Sequence, residues 1–214
     1  AIFFVLLECM LALFGVKSGV YSGDPYVGFA SNIPLYVKET GPDGQSYMVT
    51  ASHKRVRFNV QKFLEQKPKG TYRIFCMGGS TTFGRPYDDK TSFCGWLRVF
   101  LPAADPMRRW ELINAGGVSY ASYRVALLME ELIRYDPDLF IIYSGHNEFL
   151  ERRTYERVIE APKILTGVGA ILSHTRSYAA TQKILAIVTH QRTGDATTVL
   201  RGEVDAILDH TIGP

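Results

Sequence analysis

Three short polar segments follow apolar runs in this chain, and they carry the groups that an acyl-transfer reaction needs. In chain order the segments are Gly78-Gly79-Ser80, Asn114-Ala115-Gly116 and Gly145-His146-Asn147-Glu148. Acyl transfer requires a nucleophile, a base that removes its proton, and hydrogen-bond donors that face the oxyanion formed on the attacked carbonyl. Ser80 is the candidate nucleophile. The N–H groups of Ser80 and Gly116 and the side-chain amide of Asn147 are the candidate oxyanion donors.

A plain turn and a phosphate-contacting loop are the alternatives for the Gly-Gly-Ser segment taken alone, because short motifs often match by chance. The segment lacks the Gly-Lys-Ser/Thr ending of a P-loop. The combination with Gly116 and Asn147 favours the nucleophile over both alternatives.

The elements that must position these segments can be predicted from hydrophobic periodicity. Apolar runs predict strands over 72–77, 110–114 and 138–143, and helices over 92–101 and 120–135 separate them. The second helix has the clearest pattern, with Ala121, Val125, Leu128 and Leu132 at helical spacing. The order strand, helix, strand, helix, strand predicts a doubly wound parallel sheet. Ligands bind at the carboxyl edge of such sheets, where all three polar segments are expected.

The regions on either side of this core are less regular. Residues 21–70 contain turn signals and short candidate strands at 35–39 and 46–50. The sequence pattern predicts helices in residues 151–190, with a glycine interruption at 167–169, and in residues 199–208. It predicts no fourth parallel strand. Three strands are few for this architecture, so the predicted domain over 71–214 is expected to be incomplete at its C-terminus. Residues 21–70 are then a lead-in segment, and 1–20 form a separate element.

The N-terminal element has the composition of a membrane segment. Residues 1–16 are apolar except for Glu8, and Lys17 follows them. An uncleaved transmembrane anchor is favoured over a signal-peptide core or an amphipathic helix packed on the domain, because no Ala-x-Ala-like site follows. A carboxylate is costly in lipid, so Glu8 is predicted to contact a partner helix or to lie at the interface. The globular domain is expected outside the cytoplasm.

The net charge and the cysteine content argue against two classes of function, nucleic-acid binding and metal binding. The net charge is +3 and the basic residues are scattered, which argues against a nucleic-acid partner. The three cysteines, Cys9, Cys76 and Cys94, have no metal-ligand spacing. Cys76 and Cys94 can be buried thiols or a disulfide, and the sequence leaves both open. Neither a metal nor a cofactor is predicted.

Over roughly residues 70 to 150 the three polar segments together resemble the first three sequence blocks of the SGNH (GDSL-type) hydrolase superfamily. The resemblance implies a flavodoxin-like three-layer α/β/α fold and the hydrolysis or transfer of ester-linked acyl groups without metal or cofactor. It also implies that Ser80 is the nucleophile and that the Gly116 N–H and the Asn147 side chain form the oxyanion hole. The residues from Asn147 onward resemble membrane-anchored bacterial members of the superfamily.

Two departures from the family pattern concern the serine and the base. Gly79 replaces the acidic residue that usually precedes the serine. None of the five histidines has an aspartate three residues earlier, so the Asp-x-x-His block that supplies the base is expected outside this sequence. His146 is predicted to face away from the pocket, since alternate residues of an extended segment point to opposite sides. Glu148 is predicted to be a carboxylate at a helix start that accepts amide hydrogen bonds.

Two functions from different classes follow. The first is a membrane-anchored serine esterase or acyltransferase, with lipid esters or O-acyl groups on extracytoplasmic polysaccharide as candidate substrates. The second is a non-catalytic SGNH-like accessory subunit of a larger membrane complex, which the missing base and the apolar N-terminus suggest.

Overall fold

The computed structural model describes residues 2–18, 33–149, 168–169 and 171–188. The chain divides into two compact units. One combines residues 1–18 with residues 175–214, and the other covers residues 19–174. The lead-in segment, as far as it is described, therefore belongs to the same unit as the parallel sheet. The predicted helical region 199–208 lies outside the described residues.

The described part of the smaller unit contains two helices, α1 (Ile2–Leu13) and α5 (Arg176–Val188). Glu8 of α1 accepts hydrogen bonds from the backbone N–H groups of Arg176 at 2.9 Å and Ser177 at 2.8 Å. These donors are at the start of α5, where N–H groups have no partner within the helix. Glu8 thus contacts another helix, α5 of the same chain, while the predicted partner in the membrane stays a prediction.

The length of α1 does not test the prediction of a membrane anchor. Within the described ranges, no helix combines the length and the apolarity that crossing a membrane requires. Several large apolar side chains of α1 are exposed, among them Phe3, Leu6 and Leu13. The anchor therefore stays a prediction.

The first element in the described part of the larger unit is a small antiparallel sheet of three strands. These are β1 (Tyr36–Thr40), β2 (Ser46–Thr50) and β3 (Lys62–Leu64), in the order β1-β2-β3. The first two were predicted within one residue of their bounds. The sequence did not indicate β3, because three residues with a single buried side chain, Phe63, show no measurable alternation.

A parallel sheet of three strands follows, as the βαβαβ pattern predicts. Its strands are β4 (Thr71–Gly78), β5 (Arg109–Gly116) and β6 (Leu139–Tyr143), in the order β5-β4-β6. Its helices are α2 (Ser80–Phe83), α3 (Phe93–Ala104) and α4 (Ser122–Leu132). Both β5 and β6 run parallel to β4. The protein is therefore an α/β protein with a helix-packed parallel sheet and a small antiparallel sheet.

Alternate residues of the central strand pack into two separate apolar clusters. Phe75 and Met77 join a cluster that includes side chains of α4 and of the antiparallel sheet. Ile74 and Cys76 join a second cluster with side chains of α3. Because successive side chains of a strand point to opposite faces, β4 is covered on both faces. This explains why its sequence is an unbroken apolar run.

The edge strand β6 is more exposed than its apolar sequence predicts. Its sequence is equally apolar, yet Ile142 and Tyr143 are 50% and 56% exposed. Among the described residues β6 pairs only with β4, so one of its edges has no strand beside it. An apolar run thus identified the strand correctly but not its burial.

Cys76 and Cys94 are both buried, and both are free thiols. A hydrogen bond with Cys94 and burial both raise the pKa of the Cys76 thiol. The sequence allowed either two buried thiols or a disulfide, and the structure has two buried thiols.

A buried carboxylate of α4 holds the start of the antiparallel sheet. Glu131 accepts hydrogen bonds from the backbone N–H groups of Leu35 at 2.8 Å and Tyr36 at 3.0 Å. Burial raises the pKa of Glu131, and the two backbone hydrogen bonds oppose that shift. The start of β1 is therefore fixed to α4 by one side chain.

Replacing Glu131 with glutamine is expected to lower the free energy of unfolding by about 1–3 kcal/mol, the typical cost of leaving a buried polar group unsatisfied. The amide group of glutamine would place its own donors against one of the two backbone N–H groups. Urea unfolding measures the change. The matched control is Glu130→Gln at the neighbouring exposed position, for which a change within about 0.5 kcal/mol is expected. Equal effects of the two substitutions would contradict this role for Glu131.

Candidate active site

The three polar segments meet at the carboxyl edge of the parallel sheet. Gly78, the last residue of β4, pairs with Gly116 of β5 on one side and with Tyr143 of β6 on the other. Ser80 follows Gly78 by two residues, and Asn147 follows Tyr143 by four. The parallel register therefore brings the three segments together, as the sequence predicted.

Ser80 is the first residue of the short helix α2 and is partly exposed. Gly79 precedes it in an extended conformation and has no side chain to cap the helix. The first N–H groups of a helix have no acceptor within it, so the Ser80 N–H can donate a hydrogen bond to a ligand oxygen. Within the described part of the chain, the Ser80 hydroxyl makes no hydrogen bond. Neither group therefore has a hydrogen-bond partner among the described residues.

Asn147 lies against the backbone that carries the serine. A Cβ atom placed on Gly79 would be 2.5 Å from Asn147 Nδ2 and 3.2 Å from the Tyr120 carbonyl oxygen. Asn147 is 7% exposed, and its Nδ2 donates a hydrogen bond of 2.8 Å to that same carbonyl. A primary amide has two N–H groups. The second has no hydrogen-bond partner among the described residues.

Gly116 has a different role in the structure from the predicted one. Its N–H donates to Asn114 Oδ1 at 2.9 Å in a buried hydrogen bond. A Cβ atom at this position would lie 2.5 Å from the Phe83 nitrogen, so glycine allows α2 to pack closely against β5. Because this N–H already has a partner, Gly116 is not among the proposed oxyanion donors.

Asn114 is a positioning residue that the sequence identified only as part of a motif. It is 1% exposed, and its Nδ2 donates to the Thr82 carbonyl at 2.8 Å and to Asp89 Oδ1 at 2.7 Å. Asn59 Nδ2 donates to the Phe83 carbonyl at 2.7 Å. These bonds hold the C-terminal half of α2, and thereby fix the helix that begins with Ser80. The sequence feature that could have indicated this role is an asparagine inside an otherwise apolar strand.

The prediction that His146 faces away from the pocket rests on a premise that the structure does not bear out. That prediction assumed an extended segment after β6, but Gly145 has a φ of +154° and a turn follows it. The His146 side chain is exposed, and its Cε1 atom is 3.5 Å from the position that a Cβ on Gly79 would occupy. The imidazole therefore lies beside the turn that carries Ser80.

Glu148 stabilises the start of α4. Its carboxylate accepts hydrogen bonds from the Ser122 backbone N–H at 2.9 Å and from the Ser122 hydroxyl at 2.6 Å. Partial burial acts to raise the pKa of Glu148, but the hydrogen bonds from Ser122 and Ser144 outweigh it and the pKa is lowered. The carboxylate does accept an amide hydrogen bond at a helix start, as predicted, and that helix is α4. The same contact fixes the loop that carries Asn147.

The described residues contain no cluster of three or more histidine, cysteine or acidic side chains that could hold a metal ion. What the edge of the sheet offers is a hydroxyl, a backbone N–H, a side-chain amide and an imidazole. Comparisons of the chain with protein-family models and with curated proteins give no match.

Proposed function

We propose that this protein is a serine esterase or acyltransferase of the SGNH type. The observation that carries the proposal is the position of the Asn147 amide against Gly79, the residue before the partly exposed Ser80. A flavodoxin-like three-layer α/β/α fold belongs to the same proposal, and helices on both faces of β4 support it.

The chemistry begins when Ser80 Oγ attacks the carbonyl carbon of an ester. A base takes the serine proton, and the carbonyl electron pair moves to oxygen. The Ser80 N–H and the free N–H of Asn147 donate hydrogen bonds to that oxyanion. The ester C–O bond then breaks, the alcohol leaves with the proton, and the acyl group stays on Ser80. Water completes hydrolysis, whereas an acceptor hydroxyl completes acyl transfer.

The substrates that fit this proposal are lipid esters and O-acyl groups on extracytoplasmic polysaccharide. The apolar helix α1, with exposed Phe3, Leu6 and Leu13, supports a membrane-anchored enzyme. The same exposed side chains are the observation that favours the second candidate, a non-catalytic subunit of a membrane complex. The two candidates differ in whether Ser80 reacts.

A fluorophosphonate probe is expected to label the intact, folded protein, and Ser80→Ala is expected to abolish the labelling, because the probe reacts only with an activated serine. Thr81→Ala is the matched control, since it removes an exposed hydroxyl from the next residue of the same helix. That variant is expected to be labelled like the wild type. Labelling is read by gel fluorescence and by mass spectrometry of the modified peptide.

Two results would count against an enzyme. A folded wild-type protein that the probe does not label would favour the accessory subunit. Labelling that survives in Ser80→Ala would show that the reactive serine is elsewhere.

A further inference from the structure

We propose that α1 lies flat in the surface of a lipid bilayer, with one half of the helix in the lipid and the start of α5 on the side that faces water. This inference rests on the membrane attachment in the proposed function, and it states how that attachment is made. It concerns α1 and α5, which belong to the same compact unit. It follows from the distribution of apolar and charged side chains around α1.

One half of the surface of α1 is apolar and exposed. Successive residues of an α-helix are about 100° apart around its axis, and at that spacing this half covers about 160° of the circumference. Its large side chains are Phe3, Val5, Leu6, Met10 and Leu13, with exposed fractions from 46% for Met10 to 89% for Leu13. We call these five residues the apolar face of α1. Phe4 is exposed as well and lies on the other half.

The charged residue of α1 is on the half opposite to the apolar face. Glu8 is about 140° from the centre of that face at the same helical spacing. Its carboxylate accepts hydrogen bonds from the N–H groups of Arg176 at 2.9 Å and Ser177 at 2.8 Å. Leu7 and Leu11 are on the same half as Glu8, and both are partly buried. The start of α5 therefore contacts the half of α1 that carries the charge and leaves the apolar face uncovered.

The width of the apolar face favours a lipid surface over a single partner helix. A helix that packs on a protein core needs an apolar stripe of roughly 100°. A continuous apolar half fits a planar interface, into which such a helix sinks by about 5–10 Å. Charge agrees with this, because Lys17 follows α1 and is exposed. The long side chain of a lysine can lie along lipid while its amino group reaches the phosphates.

The bonds from α5 reduce the cost of a carboxylate in this position. An isolated carboxylate is expensive near lipid. The first N–H groups of a helix and the helix dipole stabilise a negative charge, and α5 supplies both to Glu8. The pair of helices therefore presents an uncharged face on one side and compensates its acidic residue on the other.

The experiment compares the depths of two positions of α1 when the full chain is bound to vesicles of phosphatidylcholine and phosphatidylglycerol. Cys9 is exposed whereas Cys76 and Cys94 are buried, so a Cys9→Ser background allows a single reactive cysteine to be placed. Phe3→Cys and Leu13→Cys each carry an environment-sensitive dye, and lipids with spin labels at two depths quench it. The two dyes are expected to report the same shallow depth. A helix that crosses the bilayer would place them about 15 Å apart in depth.

Three further variants serve as tests and controls. A dye on Thr181→Cys, an exposed position of α5, is expected to stay accessible to iodide in water. Leu6→Ser is expected to weaken vesicle binding by about 10- to 100-fold, which corresponds to the burial of one large apolar side chain. Val60→Ser is the matched control, since Val60 is 61% exposed and Leu6 is 63% exposed, and it is expected to bind like the wild type.

Each outcome decides the inference. Different depths at positions 3 and 13 would overturn it in favour of a helix that crosses the membrane. A folded wild type that does not bind the vesicles would overturn it in favour of a protein partner. Equal binding by Leu6→Ser and Val60→Ser, or a dye at position 181 that iodide does not reach, would show that a different surface contacts the lipid. Ser80→Ala is expected to bind vesicles like the wild type, so failure of this inference and failure of the proposed chemistry are measured separately.

Discussion

Replacing Asn147 with alanine is expected to slow the reaction of Ser80 with an ester by about 10²- to 10³-fold, the usual loss when one oxyanion donor is removed. The amide lies against Gly79 and keeps one N–H free, so its loss removes a bond that forms only when the carbonyl oxygen becomes charged. The turnover number should therefore fall while the Michaelis constant changes little. Steady-state hydrolysis of a p-nitrophenyl ester measures both quantities.

The structural role of Asn147 needs a separate control. Its hydrogen bond to the Tyr120 carbonyl is expected to contribute about 0.5–1.5 kcal/mol to stability, which thermal unfolding detects. Asn147→Asp keeps the shape of the side chain but loses both N–H donors, and it is expected to be at least as slow as the alanine variant. An aspartate variant with wild-type turnover would remove Asn147 from the oxyanion site.

The second large effect is expected on the free energy of unfolding. It concerns a buried ion pair near the amino end of the central strand β4. The Arg73 side chain is fully buried in β4, and its guanidinium bonds to Glu111 at 2.5 Å, to the Tyr135 carbonyl at 2.6 Å and to the Leu64 carbonyl at 2.8 Å. Replacing Glu111 with leucine would remove the carboxylate that contacts the buried guanidinium. Such changes destabilise by about 3–5 kcal/mol, and the lower end applies because Glu111 is partly exposed.

Urea unfolding of Glu111→Leu, Arg73→Met and the double variant tests this prediction. The double variant is expected to be more stable than Glu111→Leu alone, since removing both charges also removes the unpaired one. The control is Lys38→Met, which breaks the surface pair between Lys38 and Glu65 and is expected to cost less than about 1 kcal/mol. If the double variant is no more stable than Glu111→Leu, burial of the charge is not the cause of the loss.

Much of the architecture could be predicted because it depends on local pattern. The apolar runs that became β4, β5 and β6 and the helical spacing that became α4 are properties of neighbouring residues. Parallel strands order their carboxyl ends along one edge, so the meeting of Ser80 with the Asn147 loop also followed from the sequence. The strand β3 was missed since three residues carry too little pattern.

The hydrogen-bond partners and the directions of individual groups could not be predicted in the same way. Gly116 was expected to offer its N–H to a substrate, but Asn114, two residues earlier, accepts that bond. His146 was expected to face away, but the positive φ of Gly145 ends the alternation on which that expectation depended. Both outcomes depend on a few torsion angles, which residue types restrict but do not fix.

The sequence by itself determined the order of strands and helices, the nucleophile candidate and the edge of the sheet where it lies, because these follow from periodicity and chain direction. Only the tertiary structure decided which donors stay free, where the imidazole lies, and how the charges of Arg73 and Glu8 are compensated. The physical reason is that a hydrogen bond needs two groups within about 3 Å, and these partners come from distant parts of the chain. Arg73 and Glu111 are on neighbouring strands, and Glu8 meets α5 from the far end of the sequence.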